Sequence, residues 1–300
     1  MREPSVPRAR RWVTFLAAAA LTAAASAAAS AAPASGVPGA PEPADNGRPA
    51  AVALKPVVAV SGWRSTGPSG EVSARAQCPA GYHATGGGAE TDGVGPHLST
   101  SIGVPLGDNP DGWSVTARNY STDGGMSLRA YVICDQAAHE VRQITTFDVP
   151  FGQTGEATAT CPPGTTASGG GYMAIGIGPG DQSVFLVHDS ATGNGRDWRA
   201  EGTNFALDPG FITAQVICST QPHVVRLGDT VHPPHPTTGR SSAGCRSALN
   251  ELPTGGGQIV GTRVYIQDSF PTPWGWDVTA LNTSGETQPV TAQVICRPLG

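Results

Sequence analysis

The sequence predicts an all-β protein made of three tandem repeats, each held by its own disulfide bond. A block of about 84 residues occurs three times, with one cysteine near the start and one near the end of each copy. Between the cysteines, short runs alternate small, polar and β-branched residues and are separated by glycine and proline, as in strands joined by tight turns. The chain has 40 Gly and 27 Pro, and no stretch after Pro56 shows helical periodicity.

The second copy shows the marks of the repeat in order. It opens with Cys161-Pro-Pro-Gly, passes a glycine triplet, Trp198 and Asn204, and closes with Ala-Gln-Val-Ile-Cys218. The other copies carry these marks at Cys78, Gly86 to Gly88, Trp113, Asn119 and Cys134, and at Cys245, Gly255 to Gly257, Trp276, Asn282 and Cys296. A shared segment begins 22 residues before each first cysteine, so repeat 1 covers 56–138, repeat 2 covers 139–222 and repeat 3 covers 223–300.

Six cysteines allow about 15 pairings, and the repeat favours one of them. Three equivalent units should close in the same way, which pairs Cys78 with Cys134, Cys161 with Cys218 and Cys245 with Cys296. The alternative is head-to-tail pairing of neighbouring repeats, such as Cys134 with Cys161. No Cys-x-x-Cys spacing occurs, and a disulfide framework is typical of an oxidising compartment, so we expect no metal site at these residues.

The local sequence also predicts how the repeats are arranged. Cys-Pro-x-Gly is typical of a tight turn, and a glycine triplet in a strand indicates close approach of another backbone. Three such strands are expected to crowd a common axis, with each repeat contributing one sheet to a closed, β-prism-like fold of pseudo-threefold symmetry. Closure removes exposed sheet edges. The competing arrangement is three separate domains, but only four residues separate Cys134 from His139 and Cys218 from His223.

These motifs resemble a repeat of uncharacterised bacterial secreted proteins, and the resemblance covers roughly residues 57–300. It implies no activity. The third repeat departs from the pattern, because Cys245-Arg-Ser-Ala lacks both the proline and the glycine of the turn. The plan is also similar to that of the vitelline membrane outer layer protein, which implies a threefold β-prism with Cys-Pro-x-Gly turns.

The N-terminal segments predict secretion. Residues 1–31 have a basic start, an alanine-rich apolar run and an Ala29-Ser-Ala31 cleavage motif, as in a signal peptide; a membrane anchor is the alternative. Residues 32–55 are rich in Pro, Ala and Gly, which predicts a disordered linker. We expect the mature protein to be extracellular and not inserted in a membrane.

The charge of the chain argues against polyanionic partners. Residues 1–32 hold four Arg and one Glu, a net charge of +3 against −5 for the whole chain, so the remainder carries −8. Nucleic acid and anionic membranes attract clusters of Lys and Arg, and the sequence contains none. Neither is expected as a partner.

The search for catalytic and metal-binding patterns gives no candidate. A Gly-x-Ser-x-Gly motif is absent, and the neighbours His188, Asp189 and Ser190 alternate between the faces of a strand, so they cannot form a triad. Gln267-Asp268-Ser269 of repeat 3 aligns with them and lacks the histidine. His232 and His235 lie in a Pro-rich loop that we expect to be solvated. The sequence predicts no enzyme, no cofactor and no metal.

Aromatic residues are the candidates for ligand binding. Trp113, Trp198 and Trp276 repeat in register and are expected in the core. Trp63 and Trp274 do not repeat, which suits stacking against a sugar or a partner protein. Tyr82, Tyr120 and Tyr172 are weaker candidates of the same kind. The alternative for all of them is that they cover a sheet edge. Asn119, Asn204 and Asn282 recur in register, which favours a structural turn over glycosylation at the Asn119 and Asn282 sequons.

Three functional hypotheses follow. The leading one is a secreted, non-enzymatic binding protein that recognises a glycan or a cell-envelope polysaccharide, with Trp274, Trp63, Tyr120 and Tyr82 as ligand-binding residues. The second is a structural or matrix protein without a small ligand. The third is a secreted hydrolase whose paired carboxylates lie far apart in sequence. The sequence makes no prediction of oligomeric state.

Overall fold

The structure, a computed structural model, describes residues 55–93, 95–106, 109–137, 139–176, 184–205 and 207–299. The predicted signal peptide, and the predicted linker up to residue 54, lie outside the described residues. The described part falls in one compact unit. Among these residues, no helix has the length and apolarity that crossing a membrane requires.

Nineteen strands make up almost all of the regular structure in the described residues, which confirms the all-β prediction. The strands of repeat 1 are β1 (Val57–Val60), β2 (Arg64–Thr66), β3 (Glu71–Gln77), β4 (His83–Gly93), β5 (Pro96–Leu106), β6 (Asn109–Asn119) and β7 (Met126–Asp135). Those of repeat 2 are β8 (Glu140–Val149), β9 (Thr154–Thr160), β10 (Thr166–Gly176), β11 (Val184–Ala191), β12 (Asp197–Asn204) and β13 (Gly210–Ser219). Those of repeat 3 are β14 (Val224–Leu227), β15 (Thr238–Gly244), β16 (Glu251–Val260), β17 (Val264–Thr272), β18 (Gly275–Asn282) and β19 (Val290–Pro298).

The strands form three sheets, and each sheet combines strands of two repeats. The seven-stranded sheet has the order β1-β7-β4-β17-β18-β15, with β2 also paired to β7. The two six-stranded sheets have the orders β3-β6-β5-β10-β13-β8 and β14-β19-β16-β11-β12-β9. The expectation that each repeat contributes one sheet is therefore wrong. The strand that follows each glycine triplet joins a neighbouring sheet and pairs there with the triplet strand of another repeat.

The glycine triplets lie where the three sheets approach one another. A Cβ added to Gly86 would lie 2.6 Å from Gly255 Cα, one on Gly255 would lie 2.6 Å from Gly169 Cα, and one on Gly169 would lie 3.0 Å from Gly86 Cα. The preceding residues form a hydrogen-bond cycle. Thr85 Oγ1 donates to Thr254 O (2.7 Å), Thr254 Oγ1 donates to Ser168 O (2.9 Å), and Ser168 Oγ donates to Thr85 O (3.3 Å). Only glycine allows this backbone approach, as the sequence predicts.

The repeated tryptophans are buried in the core, as predicted. Trp113, Trp198 and Trp276 are each at most 1% exposed. Each indole packs against the middle glycine of its own triplet, and a Cβ on that glycine would lie 2.1–2.3 Å from the ring. The indole nitrogens donate hydrogen bonds to Ser101 (2.9 Å), Asp189 (2.6 Å) and Ser269 (2.9 Å), on β5, β11 and β17.

The three disulfide bonds join Cys78 to Cys134, Cys161 to Cys218 and Cys245 to Cys296, which confirms the pairing within repeats. The Cys-Pro-x-Gly segments of repeats 1 and 2 are turns with positive φ at Gly81 and Gly164. Repeat 3, which lacks these residues, has a 3₁₀ turn at Ser247–Leu249 instead. Three disulfide bonds are typical of proteins that function in an oxidising environment.

The repeated asparagines have the structural role that their register suggests. Asn119, Asn204 and Asn282 are completely buried. The side-chain amide of each donates to two backbone carbonyls: those of residues 67 and 124, 149 and 208, and 233 and 286, respectively. Each asparagine thus ties the loop that follows it to the segment before the hairpin.

Candidate functional site

The seven-stranded sheet carries an aromatic and charged cluster on the face opposite the core. On β7, Arg129 lies between Leu128 and Ala130, both of which are buried in the core, so its side chain must point to the other face. Arg129 meets Glu90 of β4 in a cross-strand ion pair, with Nε 2.8 Å from Oε2. We call the outward side chains Trp63, Glu90, Arg129, Tyr131, Asp268 and Phe270 the β7 cluster.

Aromatic rings surround the Arg129 guanidinium. Its central carbon lies 4.6 Å from the centre of the Trp63 ring and 5.2 Å from the centre of the Tyr131 ring. The Tyr131 hydroxyl donates to Glu90, and the Tyr131 ring stacks on Phe270 of β17 at 5.4 Å. Burial and the hydrogen bond to Glu90 raise the pKa of Tyr131. Trp63 therefore packs on an arginine that Glu90 and Tyr131 hold in place, and 43% of Trp63 remains exposed.

The corresponding positions of the other repeats carry different residues. Counting from the closing cysteine, Arg129 corresponds to Thr213 and Thr291. Each of these threonines bonds a threonine hydroxyl of the first strand segment of its repeat, Thr145 at 2.9 Å and Thr230 at 2.8 Å. Repeat 1 thus replaces a pair of threonines by the stacked pair of Trp63 and Arg129. This difference makes the pair of Trp63 and Arg129 a candidate site.

Asp268 extends the β7 cluster to the next strand. It precedes Ser269, which pairs with Ala89 of β4, so it lies beside Glu90. Its carboxylate accepts a hydrogen bond from the backbone N–H of Thr91 (2.8 Å). Burial, together with the charge of Glu90, raises the pKa of Asp268. Both carboxylates of the pair are thus engaged by groups of the protein itself.

A groove of about 680 Å³ runs along the other side of Trp63, between the segment of β2 and the strand β3. Four serines line it together with Trp63, two arginines and small apolar residues; the full lining is Ser61, Gly62, Trp63, Arg64, Ser65, Val72, Ser73, Ala74, Arg75 and Ser114. Hydroxyls, one exposed indole and guanidinium groups can bind a molecule that has both polar groups and apolar faces.

The equivalent space is closed in the other repeats. In repeat 3, a Cβ on Gly228 would lie 2.2 Å from the carbonyl oxygen of Ser242, so the two backbones are in contact. In repeat 2, the Thr146 hydroxyl donates to the carbonyl oxygen of Glu156. In repeat 1, the residue that corresponds to Gly228 is Ser61, which lines the groove. The open groove is thus a feature of repeat 1.

The four predicted ligand-binding aromatics lie in separate places. Trp274 occupies the two-residue connection between β17 and β18 and is 54% exposed. Tyr120 contacts Tyr265, at the opposite end of β17, with ring centres 5.6 Å apart. Tyr82 follows the turn after Cys78 and packs against the core. Of the four, Trp63 is the one that lines the groove. Tyr172, the weaker candidate, is wrong as a surface residue, because it is only 1% exposed.

His188, Asp189 and Ser190 alternate between the faces of β11, as expected. Asp189 points inward to Trp198, and its burial raises its pKa to about 8. His188 and Ser190 share the outer face, where Ser190 Oγ lies 2.8 Å from His188 Nδ1. Ser190 is completely buried, so this pair does not present a nucleophile to solvent. Burial lowers the pKa of His188 to about 4.

The sequence alignment of this segment with repeat 3 is wrong by one residue. Asp189 and Ser269 both accept the indole hydrogen bond, so His188 corresponds to Asp268 and not to Gln267. Each strand has a β-bulge just before that position, between Leu186 and His188 and between Ile266 and Asp268. The bulge residue shifts the register.

Sequence reasoning missed Glu90, Arg129, Tyr131 and Phe270 as members of one cluster. The signal that could have found them is the difference between repeats, since Arg129 stands where the others have threonine and Tyr131 stands where they have Gln215 and Gln293. In the described part of the chain, no group of three or more His, Cys, Asp or Glu side chains is arranged as a set of metal ligands.

No protein-family model matches the sequence, and no curated protein is significantly similar to it. The resemblance to a bacterial secreted repeat and to the vitelline membrane outer layer protein therefore stays a hypothesis based on motifs.

Proposed function

We propose that this protein is a secreted, non-enzymatic glycan-binding protein whose binding site is the groove beside Trp63. The observation that carries the proposal is the placement of a 43% exposed indole, packed on Arg129, in a groove that four serines also line. Sugars present apolar C–H faces that pack on aromatic rings and hydroxyls that exchange hydrogen bonds with polar side chains.

The support of Trp63 strengthens this proposal. Arg129 and the Tyr131–Glu90 hydrogen bond hold the indole on a rigid sheet, which lowers the conformational entropy lost on binding. Trp274 sits in a two-residue hairpin connection and is not among the residues that line this groove. We therefore place the ligand at Trp63.

The proposed architecture is a closed β-prism of pseudo-threefold symmetry. The mutual contacts of Gly86, Gly169 and Gly255 and the mixed composition of each sheet support it. The predicted domain boundaries, with repeats 1 to 3 in one domain, belong to this proposal. Because the open groove belongs to repeat 1, we propose one binding site per chain and not the three that repetition suggests.

The carboxylates of the β7 cluster favour binding over hydrolysis. A glycoside hydrolase needs two carboxyl groups that are available to the substrate. Glu90 is held by Arg129 and Tyr131, and Asp268 accepts a backbone hydrogen bond. Secretion remains part of the proposal, supported by the three disulfide bonds and the predicted signal peptide.

The experiment is to screen the mature protein against a glycan array and insoluble polysaccharides, with Trp63→Ala and Trp274→Ala as a matched pair. Both residues are exposed tryptophans, so either change should leave thermal stability almost unaltered. We expect specific binding that Trp63→Ala abolishes and Trp274→Ala retains. Binding lost with Trp274→Ala alone would move the site to the β17–β18 connection. No binding at high protein concentration would favour the structural or matrix function.

A further inference from the structure

The charges around the Trp63 groove indicate the class of glycan, an inference that rests on the proposed function. Two arginines, Arg64 and Arg75, line the groove, and no Asp or Glu does. The chain as a whole carries a net charge of −5. A locally positive groove on an acidic protein is unexpected from composition, and the separation of Arg64 and Arg75 in sequence explains why no basic cluster is visible there.

The two arginines differ in how far their charge is already balanced. Arg75 donates to both oxygens of Asp111, at 3.0 and 3.2 Å, and its side chain is 42% exposed. Arg64 is exposed, and among the described residues it has no carboxylate within ion-pair distance. Arg64 is next in sequence to Trp63. Both residues line the groove, so an anionic group held by Arg64 can belong to a ligand that also contacts Trp63.

We propose that the ligand is a polysaccharide that carries carboxylate groups, as uronic acids do. The guanidinium of Arg64 matches a carboxylate in a two-point hydrogen bond. Three of the serine hydroxyls already take part in hydrogen bonds within the protein, and their remaining lone pairs can accept hydrogen bonds from the hydroxyls of a sugar. One arginine without a carboxylate partner in the protein can bind one carboxylate of the ligand. Densely charged polymers such as nucleic acids or highly sulfated glycans need several cations, and the net negative charge of the protein repels them.

The test measures three uronate polymers and compares one of them with a neutral polymer of the same backbone. Polygalacturonate, alginate and hyaluronan are measured by titration calorimetry, and fully methyl-esterified polygalacturonate supplies the neutral match. We expect at least one uronate to bind, with affinity that falls about tenfold or more on esterification, the factor typical of a lost charge-assisted hydrogen bond.

Arginine variants locate the effect. Arg64→Gln should lose the preference for the free acid over the ester, and Arg75→Gln should lose less because Asp111 already balances that charge. Arg246→Gln, outside the groove, is the control and should bind as the wild type does. Dextran sulfate and a phosphate-bearing teichoic acid are measured as further ligands, to distinguish recognition of carboxylates from binding of any anion.

The outcomes separate this inference from the proposed function. Binding that depends on Trp63 but is equal for acid and ester overturns the anionic inference and leaves glycan binding intact. Tighter binding of dextran sulfate or teichoic acid than of any uronate overturns the carboxylate assignment. Failure to bind all three uronates, with a neutral glycan bound at Trp63, also overturns it.

Discussion

The hydroxyl of Ser61 accepts a hydrogen bond from the backbone N–H of Ala130 at 2.9 Å. In repeat 3 the corresponding N–H, that of Ala292, is bonded at 2.8 Å by Ser241, which lies on the hairpin strand β15. Ser241 thereby ties β15 to β19 and closes the space between them. In repeat 1 the hydroxyl comes from Ser61 itself, and Ala74 stands where Ser241 does. The strand β3 therefore lacks this hydrogen bond to β7, although the Cys78–Cys134 disulfide bond joins its end to β7, and the difference coincides with the open groove.

This relationship predicts that two substitutions close the groove. Ser61→Gly with Ala74→Ser reproduces Gly228 and Ser241 of repeat 3, so the segment that contains residue 61 should move toward β3 and shield Trp63. In a Trp274→Phe background, Trp63 is the remaining exposed tryptophan among the described residues. Acrylamide quenching of its fluorescence should then fall in the double variant. Ser61→Gly alone is the control and should leave quenching unchanged; equal quenching in both variants contradicts the explanation.

The buried carboxyl of Asp189 predicts a loss of stability as the pH rises. Burial opposes ionisation, and the hydrogen bonds from Trp198 and Gln258 offset it only in part, so the pKa is about 8 in the folded protein against 3.8 for the ordinary carboxyl. The folded state therefore binds more protons than the unfolded state between about pH 4 and 8. As the pH rises from about 4 to 8, the free energy of unfolding should fall by at most about 1.4 kcal/mol per pH unit.

The variant Asp189→Ser isolates this effect, because Ser101 and Ser269 accept the same indole hydrogen bond in the other repeats. The free energy of unfolding, measured in urea from pH 4 to 9, should fall less steeply with pH in the variant. Asp189→Asn keeps the side-chain volume, and its free energy of unfolding should also fall less steeply with pH than that of the wild type. His188 and His223, with pKa lowered to about 4, act in the opposite direction in all three proteins. A constant difference between wild type and variant across the pH range would refute the assignment.

The contact between Gly256 and Trp276 predicts a large cost for one methyl group. In Gly256→Ala the new Cβ would lie 2.1 Å from Trp276 Cδ2, in a core where the indole is also held by Ser269. We expect the free energy of unfolding to fall by about 3 kcal/mol, the upper part of the usual range for overpacking. Gly193→Ala, with open space around its Cβ, should change it by less than about 0.5 kcal/mol. Equal urea midpoints for the two variants would contradict the packing argument.

Local signals predicted the strands and turns, because Cys-Pro-x-Gly, alternation and glycine act over a few residues. The disulfide pairing was predicted from the equivalence of the three copies of the motif. The mixing of repeats within each sheet was not predictable in this way, because the pairing of Ser269 with Ala89 or of His188 with Ile259 depends on contacts between distant segments. The register of β11 was missed for a local reason, since a bulge before His188 has no clear sequence mark.

The candidate site includes one of the four aromatic residues that the sequence singles out. Trp63 was chosen because it does not repeat, and the same reasoning applied to Arg129 would have pointed to the residue that it contacts. That Trp63 and Arg129 touch required the structure, because 66 residues separate them. The opening of the groove depends on which residue supplies the hydroxyl to Ala130, and a single sequence does not reveal that choice.

A buried ion pair joins the end of repeat 1 to the end of repeat 3. Asp135 accepts from Arg297 Nη1 at 2.7 Å and lies 2.6 Å from His139 Nε2; both of its partners' side chains are at most 8% exposed. Burial opposes ionisation of Asp135, but the hydrogen bond from His139 and the charges of His139 and Arg297 outweigh it, so the pKa of Asp135 lies below its usual value. His139 thus has a structural role as a partner of Asp135.

Removing one partner should leave the other charge buried and unbalanced. Asp135→Asn should lower the free energy of unfolding by about 3–5 kcal/mol, while Asp135→Leu combined with Arg297→Met should cost much less. The wild type should also lose stability as the pH falls below about 4, where Asp135 protonates more readily in the unfolded state, and Asp135→Asn should flatten this part of the profile. The exposed pair of Glu140 and Arg142 supplies the control, since Arg142→Gln should cost less than about 1 kcal/mol. If Asp135→Asn proves as mild as Arg142→Gln in urea unfolding, the pair does not hold the two repeats together.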